Sequence, residues 1–228
     1  MKPYQQVPIL ECGEALIVIP DEFSRVSPHP YEKLGAPYGD RSPFYLRQGV
    51  VDRLLIAQQT LQQNHPNWQI QIFDAYRPVA VQQFMVDYTF LQVAQARNLA
   101  PESLSDQQRQ DILQQVYQFW AAPSLDSAMP PPHSTGAAID ITLIDETGNA
   151  IDMGSPIDEM SERSSPNHFA KSSNFYQRRQ VLNQVMTTAG FKRHWNEWWH
   201  FSYGDQIWAW LMRQENLDQP SIAKYGRV

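Results

Sequence analysis

The stretch Pro-Pro-Pro-His-Ser-Thr-Gly-Ala-Ala-Ile-Asp-Ile-Thr-Leu, residues Pro130 to Leu143, decides much of the fold and chemistry of this chain. Its Pro-rich start indicates a rigid loop, and the mostly apolar run at 137–144 predicts a strand. His133 therefore lies in a loop, and Asp140 follows seven residues later on the strand that the loop enters. Both side chains can then bind one metal ion.

A second stretch, Glu197-Trp198-Trp199-His200, supplies a third candidate metal ligand and a further carboxylate. With His200 as third ligand, two imidazoles and one carboxylate suit zinc and leave a fourth position for water. Zinc lowers the pKa of such a water to about 7. Glu197, three residues before His200, can act as the general base that accepts the water's proton. A closed structural zinc site more often uses thiolates, and this chain has one cysteine, Cys12.

Composition narrows the class of protein. A chain of 228 residues with 42% hydrophobic and 18% charged residues is typical of a soluble globular protein, and we expect one domain over residues 1–228. A net charge of -6 argues against nucleic acid as a partner, because phosphate binding needs clustered Lys and Arg. No apolar run approaches the roughly 18 residues of a membrane span, and the first residues lack the apolar core of a secretory signal, so we expect no membrane association and a cytoplasmic protein.

The hydrophobic pattern predicts an α+β fold, with a central antiparallel sheet that carries the metal site and is flanked by helices. The predicted strands are 15–19, 68–73, 137–144, a possible return strand 150–153, 191–194 and 198–203. The predicted helices are 50–63, 79–98, 105–121, 175–189 and 206–214. The segment 20–43 is rich in Pro, Gly and Tyr and should be irregular, either as a wall of the site or as a plain surface loop.

Arg77 lies in Asp-Ala-Tyr-Arg-Pro, at the end of a predicted strand and just before a helix. Its guanidinium group could stabilise an oxyanion, since it stays charged and presents a planar fork of donors. Arg77 could equally form a structural salt bridge with Asp74. The sequence leaves both interpretations open.

The two decisive stretches resemble the His-x-x-Gly-x-Ala-x-Asp and Glu-x-x-His signatures of zinc D-alanyl-D-alanine dipeptidases of the VanX type. This family belongs to a group that includes zinc D,D-carboxypeptidases and the amino-terminal domain of Hedgehog proteins. The segment 74–78 resembles the arginine segment of the family, and 152–164 resembles the loop after its metal strand. The chain departs from the family at Pro131, where a serine thought to hold the substrate carboxylate is usual, and at Ile157, where phenylalanine is usual.

The resemblance implies one zinc ion per chain, bound by His133, Asp140 and His200, and hydrolysis of a small D,D-dipeptide. Glu197 would be the catalytic base and Arg77 would stabilise the tetrahedral intermediate. Two residues would bind the substrate: Asp158 would lie near its free amino end, and Ser134 or a backbone N–H would replace the missing serine. A solvent-exposed loop acid is the alternative reading of Asp158.

Two other functions use the same residues. The chain could be a zinc D,D-carboxypeptidase that trims peptidoglycan stem peptides, although the missing export signal disfavours this. It could also be a zinc-binding recognition protein without hydrolysis, although a structural site has no use for a base such as Glu197. The sequence does not indicate the oligomeric state.

Overall fold

The computed structural model describes residues 2–215 and 222–228 and shows a mixed α and β architecture. The strands are β1 (Leu16–Val18), β2 (Ser24–Arg25), β3 (Tyr45–Arg47), β4 (Gln69–Asp74), β5 (Ala138–Ile144), β6 (Lys192–Arg193) and β7 (His200–Ser202). The helices are α1 (Pro30–Lys33), α2 (Gln48–Asn64), α3 (Val79–Ala96), α4 (Asp106–Phe119), α5 (Asn174–Thr188) and α6 (Gln206–Glu215).

The main sheet has the strand order β2-β4-β5-β7-β6, and β1 pairs with β3 in a separate two-stranded sheet. Every pairing is antiparallel except that of β2 with β4, which is parallel. This arrangement confirms the predicted α+β fold with a largely antiparallel central sheet and flanking helices. The predicted return strand at 150–153 is reduced to an isolated bridge between Ile144 and Ala150, because the backbone carbonyls of Asp152 and Met153 accept from the side chains of Arg178 and Arg179 in α5.

The central strand β5 is buried along its whole length, as its apolar composition requires. Helices α2 and α5 pack against it through a core that includes Leu54, Leu61, Leu182 and Met186. Helices α3 and α4 form a second apolar cluster with Tyr31 and Tyr38 from the irregular segment. The irregular segment is therefore packed against the body of the protein instead of forming a plain surface loop.

No helix among the described residues is both long enough and apolar enough to cross a bilayer.

Candidate metal centre and active site

The sheet register aligns three acidic or imidazole side chains across three neighbouring strands. Asp74 on β4 pairs with Asp140 on β5, and Asp140 pairs with His200 on β7. His133 lies in a 3-10 turn, Pro132–Thr135, which runs directly into β5. Gly136 ends this turn with a φ of 69°, a conformation that glycine adopts without strain. The turn brings His133 back beside the strand that carries Asp140.

The predicted ligands converge as expected. Nε2 of His133 lies 3.2 Å from Oδ2 of Asp140 and 3.2 Å from Nδ1 of His200, and Nδ1 of His200 lies 3.1 Å from Oδ1 of Asp140. Donors bound tetrahedrally to one zinc ion at about 2.0–2.1 Å lie roughly 3.3 Å apart, which is close to these separations. All three residues are buried. Burial favours a neutral Asp140, but the adjacent His133 and His200 hold the pKa of this carboxyl well below its usual range.

The hydrogen bonds around the ligands leave the converging atoms available for a cation. Nδ1–H of His133 donates to the carbonyl of Ala75 (2.7 Å), so its Nε2 keeps a free lone pair. Nε2 of His200 faces the Ser202 hydroxyl (3.4 Å), which donates to Asp205 (2.8 Å). Oδ1 of Asp140 is buried without a hydrogen-bond partner among the described residues. A divalent ion such as zinc fits this donor set.

Glu197 is buried next to the ligands without being one of them. One oxygen, Oε2, lies 3.7 Å from Nδ1 of His200 and 3.7 Å from Nδ1 of His194. Burial raises the pKa of Glu197 to about 7, even though the neighbouring His200 acts in the opposite direction. A carboxyl group with this pKa can both accept and return a proton near neutral pH.

Arg77 forms the salt bridge with Asp74 that one interpretation of the sequence predicted, and its guanidinium group also faces the candidate metal ligands. Its Nε and Nη2 donate to one oxygen of Asp74 at 3.0 and 2.7 Å, and Nη1 donates to Gln82 at 2.9 Å. Nη2 also lies 3.4 Å from Oδ2 of Asp140, so the guanidinium group reaches the metal ligands. The ion pair with Asp74 therefore positions Arg77 in the wall of the site.

Asp158 lines the same cavity and accepts a hydrogen bond from the hydroxyl of Tyr31 (2.7 Å). It has a φ of 64°, which Asp and Asn tolerate better than most residues. Burial, together with the negative charge of Asp140, raises the pKa of Asp158 to about 7. These contacts place Asp158 in the site and contradict the reading of a solvent-exposed loop acid.

Comparison with known proteins identifies the family. The family model described as Peptidase_M15, D-ala-D-ala dipeptidase, matches residues 24–221. A D-alanyl-D-alanine dipeptidase from Synechocystis sp. is 48% identical over 240 residues, covering 100% of this chain and 97% of the relative. The chain belongs to this dipeptidase family.

Two further matches are shorter or more distant. A D-alanyl-D-alanine dipeptidase from Escherichia coli is 49% identical over 69 residues, which cover 30% of this chain and 36% of the relative. The solved structure of VanYB in complex with D-Alanine-D-Alanine is 14% identical with a TM-score of 0.48, and the match covers 77% of this chain and 84% of that chain. Membership of the dipeptidase family confirms the resemblance seen in the sequence and the prediction of a metallopeptidase.

The structure also brings residues into this dipeptidase site that the sequence did not single out. Aromatic and basic side chains from three segments line the cavity beside the candidate metal ligands: Lys2, Tyr4, Phe119, Trp120 and His194. Tyr31 bonds Asp158 and stacks against the guanidinium group of Arg77, at 5.0 Å from the ring centre. The tyrosine-rich composition of 20–43 was the only sign of this contribution, and it did not indicate which tyrosine reaches the site.

The side chain of Ser134, unlike that of Asp158, does not line the cavity. Its hydroxyl is buried and donates to the backbone carbonyl of Arg77 (2.7 Å). The backbone N–H of Arg77 in turn donates to the carbonyl of His133 (3.2 Å). These bonds give Ser134 a role in holding the arginine segment beside the ligand turn, and no described contact supports substrate binding by its side chain.

Proposed function

We propose that this chain hydrolyses D-alanyl-D-alanine, or a closely related D,D-dipeptide, to two free amino acids, using one zinc ion held by His133, Asp140 and His200. One observation carries the proposal: side-chain atoms of His133, Asp140 and His200 converge in a buried cavity, and the carboxyl group of Glu197 lies beside them. The family supplies the substrate class, since the relatives are D-alanyl-D-alanine dipeptidases. Zinc, when bound, would acidify a water molecule and polarise the peptide carbonyl.

Glu197 provides the proton transfer in this mechanism. Its carboxylate accepts a proton from the attacking water, whose oxygen forms a bond to the peptide carbonyl carbon. The C–N bond then breaks, and Glu197 returns the proton to the departing amine. The carboxyl is thereby restored to its starting form, and the products are two amino acids. The raised pKa of Glu197, about 7, suits both halves of this cycle.

Arg77 stabilises the negative charge that develops on the carbonyl oxygen. Its guanidinium group is held on one side by Asp74 and Gln82, so it does not need to reorganise when the charge appears. Removing one such charge stabiliser typically costs about 3–4 kcal/mol of transition-state stabilisation.

Asp158 accounts for recognition of the free amino end. An ammonium group needs a negative neighbour or hydrogen-bond acceptors, and the Asp158 carboxylate lines the cavity with Tyr31 fixing its orientation. The substrate would then lie with its amino end toward Asp158 and its peptide bond over the metal centre.

The test is incubation of the zinc-loaded protein with D-Ala-D-Ala, with L-Ala-L-Ala and with a longer peptide that ends in D-Ala-D-Ala. Free alanine is measured by mass spectrometry, and the metal-free protein is the control. We expect release of alanine from D-Ala-D-Ala alone, and only with zinc. Faster release from the longer peptide would indicate a carboxypeptidase instead, and zinc binding without any release would indicate a recognition protein.

A further inference from the structure

The amino-terminal segment is held beside the active-site cavity and forms part of its wall. Residues Pro3–Gln6 form a 3-10 turn that packs on helix α6. The side-chain amide of Gln206 in α6 donates to the carbonyl of Val7 (2.7 Å), and Tyr4 is buried with 3% of its surface exposed. The backbone N–H of Lys2 donates to the side chain of Gln5 (2.7 Å). These contacts hold Lys2 in one place relative to the metal ligands.

The side chain of Lys2 lines the cavity together with Glu197 and His194. Burial lowers the pKa of Lys2, and the neighbouring charge of Glu197 partly opposes that effect. No carboxylate of the described residues lies within the 4.0 Å ion-pair distance of the Lys2 ammonium group. A partly buried cation without an anionic partner is a binding position for an anion that enters the cavity.

Charges of opposite sign are distributed over two regions of the cavity wall. Asp158 is bonded to Tyr31, which also contacts Arg77 at the end of β4. Lys2 lies instead beside Glu197 and His194. These two residues belong to the segment that joins β6 to β7. The order β4-β5-β7-β6 puts the strands of the metal ligands between these two regions. A free dipeptide has the matching charges, with an ammonium group at one end and a carboxylate at the other.

We propose that Lys2 is a specificity-determining residue that binds the terminal carboxylate of the dipeptide through its ammonium group. The inference rests on the proposed function, because it places the scissile bond between Asp158 and Lys2. It assigns to the amino-terminal segment, which lies outside the matched family region of residues 24–221, a part in substrate recognition. Lys2 takes no part in the proton transfer and acts on binding.

The test compares the zinc-loaded wild type with Lys2→Met and Lys2→Arg on two substrates, D-Ala-D-Ala and D-alanyl-D-alaninamide. The amide has no terminal negative charge and is otherwise nearly the same size. We expect Lys2→Met to raise KM for D-Ala-D-Ala roughly 10- to 100-fold, the range of a lost charge-assisted hydrogen bond, with little change in kcat. KM for the amide should stay within about twofold, because no carboxylate is present to lose its partner. Lys2→Arg should restore most of the binding.

A matched control is Lys171→Met, which removes an exposed lysine elsewhere on the surface and should leave both substrates unaffected. Equal effects of Lys2→Met on the acid and the amide, or a shift in the pH profile of kcat, would show that Lys2 acts through Glu197, and would overturn the proposal. An unchanged KM for D-Ala-D-Ala would also overturn it. A wild type that releases no alanine from D-Ala-D-Ala would refute the proposed function itself, and is seen before any variant is made.

Discussion

In the proposed mechanism, Glu197 is the residue that distinguishes an enzyme from a protein that only binds a metal ion. It is buried at 7% exposure and lies 3.7 Å from Nδ1 of His200, so the proposed mechanism can use its carboxyl as a base beside the three candidate ligands. At this distance we expect the activity to depend on whether the side chain can accept a proton, and not on the volume that it fills.

We therefore expect Glu197→Gln to bind zinc like the wild type and to lose activity by about 10²- to 10⁴-fold in kcat, because the amide cannot accept the proton. Measuring kcat together with zinc content by mass spectrometry checks both parts. Glu162→Gln, which changes an exposed glutamate of the nearby loop, is the control and should behave as wild type. His200→Ala should lose zinc and activity together. Wild-type turnover by Glu197→Gln would remove this residue from the mechanism.

Asp158 should make substrate binding depend on pH. Its pKa is raised to about 7, so the carboxyl is mostly neutral below that pH and cannot attract the ammonium group of the substrate. We expect KM for D-Ala-D-Ala to fall as pH rises through about 7 and to rise again above about pH 8, where the ammonium group of the substrate itself loses its proton.

The variant Asp158→Asn should raise KM and abolish the fall in KM as pH rises through about 7. Asparagine keeps an acceptor for the Tyr31 hydroxyl and tolerates the φ of 64°, so the comparison isolates the charge. KM profiles measured from pH 5.5 to 8.5 on both proteins are the check. A wild-type KM that stays constant over this range would count against an amino-end role for Asp158.

At the scale of elements, the turn before β5 determines where His133 lies. Register pairs Asp140 with His200, and a shift of β5 by one residue would turn Asp140 to the opposite face of the sheet. Because the 3-10 turn ends at Gly136, the chain reverses within the seven-residue spacing between His133 and Asp140. Nε2 of His133 then lies 3.2 Å from Oδ2 of Asp140. A β-carbon added at Gly136 would overlap Cδ2 of Leu16.

Gly136→Ala should therefore destabilise the ligand turn. We expect a loss of about 1–2 kcal/mol from the left-handed backbone alone, a further loss from the contact with Leu16, and weaker zinc binding. Chemical denaturation and zinc titration measure these effects. Gly13→Ala is the matched control, because Gly13 has a φ of 76° with nothing within 4 Å of an added β-carbon, and it should show only the backbone cost. Equal losses in both variants, with unchanged zinc affinity, would contradict the role given to the turn.

At the scale of the whole molecule, the centre joins segments that are far apart in the chain. The candidate ligands come from the turn before β5, from β5 and from β7, and Arg77 comes from the segment that follows β4. An ion bound only by the folded state couples these segments and stabilises the fold, by about 4 kcal/mol when its concentration is 1,000 times its dissociation constant.

Removal of zinc by a chelator should therefore lower the melting temperature and abolish activity, and added zinc should restore both. His200→Ala, with a ligand missing, should melt at nearly the same temperature with and without the chelator. Differential scanning calorimetry of wild type and His200→Ala, each with and without the chelator, measures the change in melting temperature. An equal response of wild type and His200→Ala to the chelator would show that the ion binds elsewhere.

The sequence by itself was enough to predict the main strands and helices and the candidate ligand set. The periodicity of hydrophobic residues predicted β4, β5 and the long helices. The residue spacing within two motifs was enough to predict His133, Asp140 and His200 as ligands. Both signals depend on residues that are close together in the chain, so they can be seen in the sequence alone. The same holds for Glu197, which lies three residues from a ligand.

Only the tertiary structure decided which side chains complete the cavity. Lys2 lines the cavity, and Tyr31 bonds to its lining residues Asp158 and Arg77. Both come from segments without periodic pattern, and their positions follow from packing against α6 for the segment of Lys2 and against α3 and α4 for Tyr31. It also decided that Arg77 both pairs with Asp74 and faces the ligands, and that Ser134 bonds the backbone of Arg77. Contacts between residues distant in sequence depend on how whole elements pack, and that information is not written at any single position of the chain.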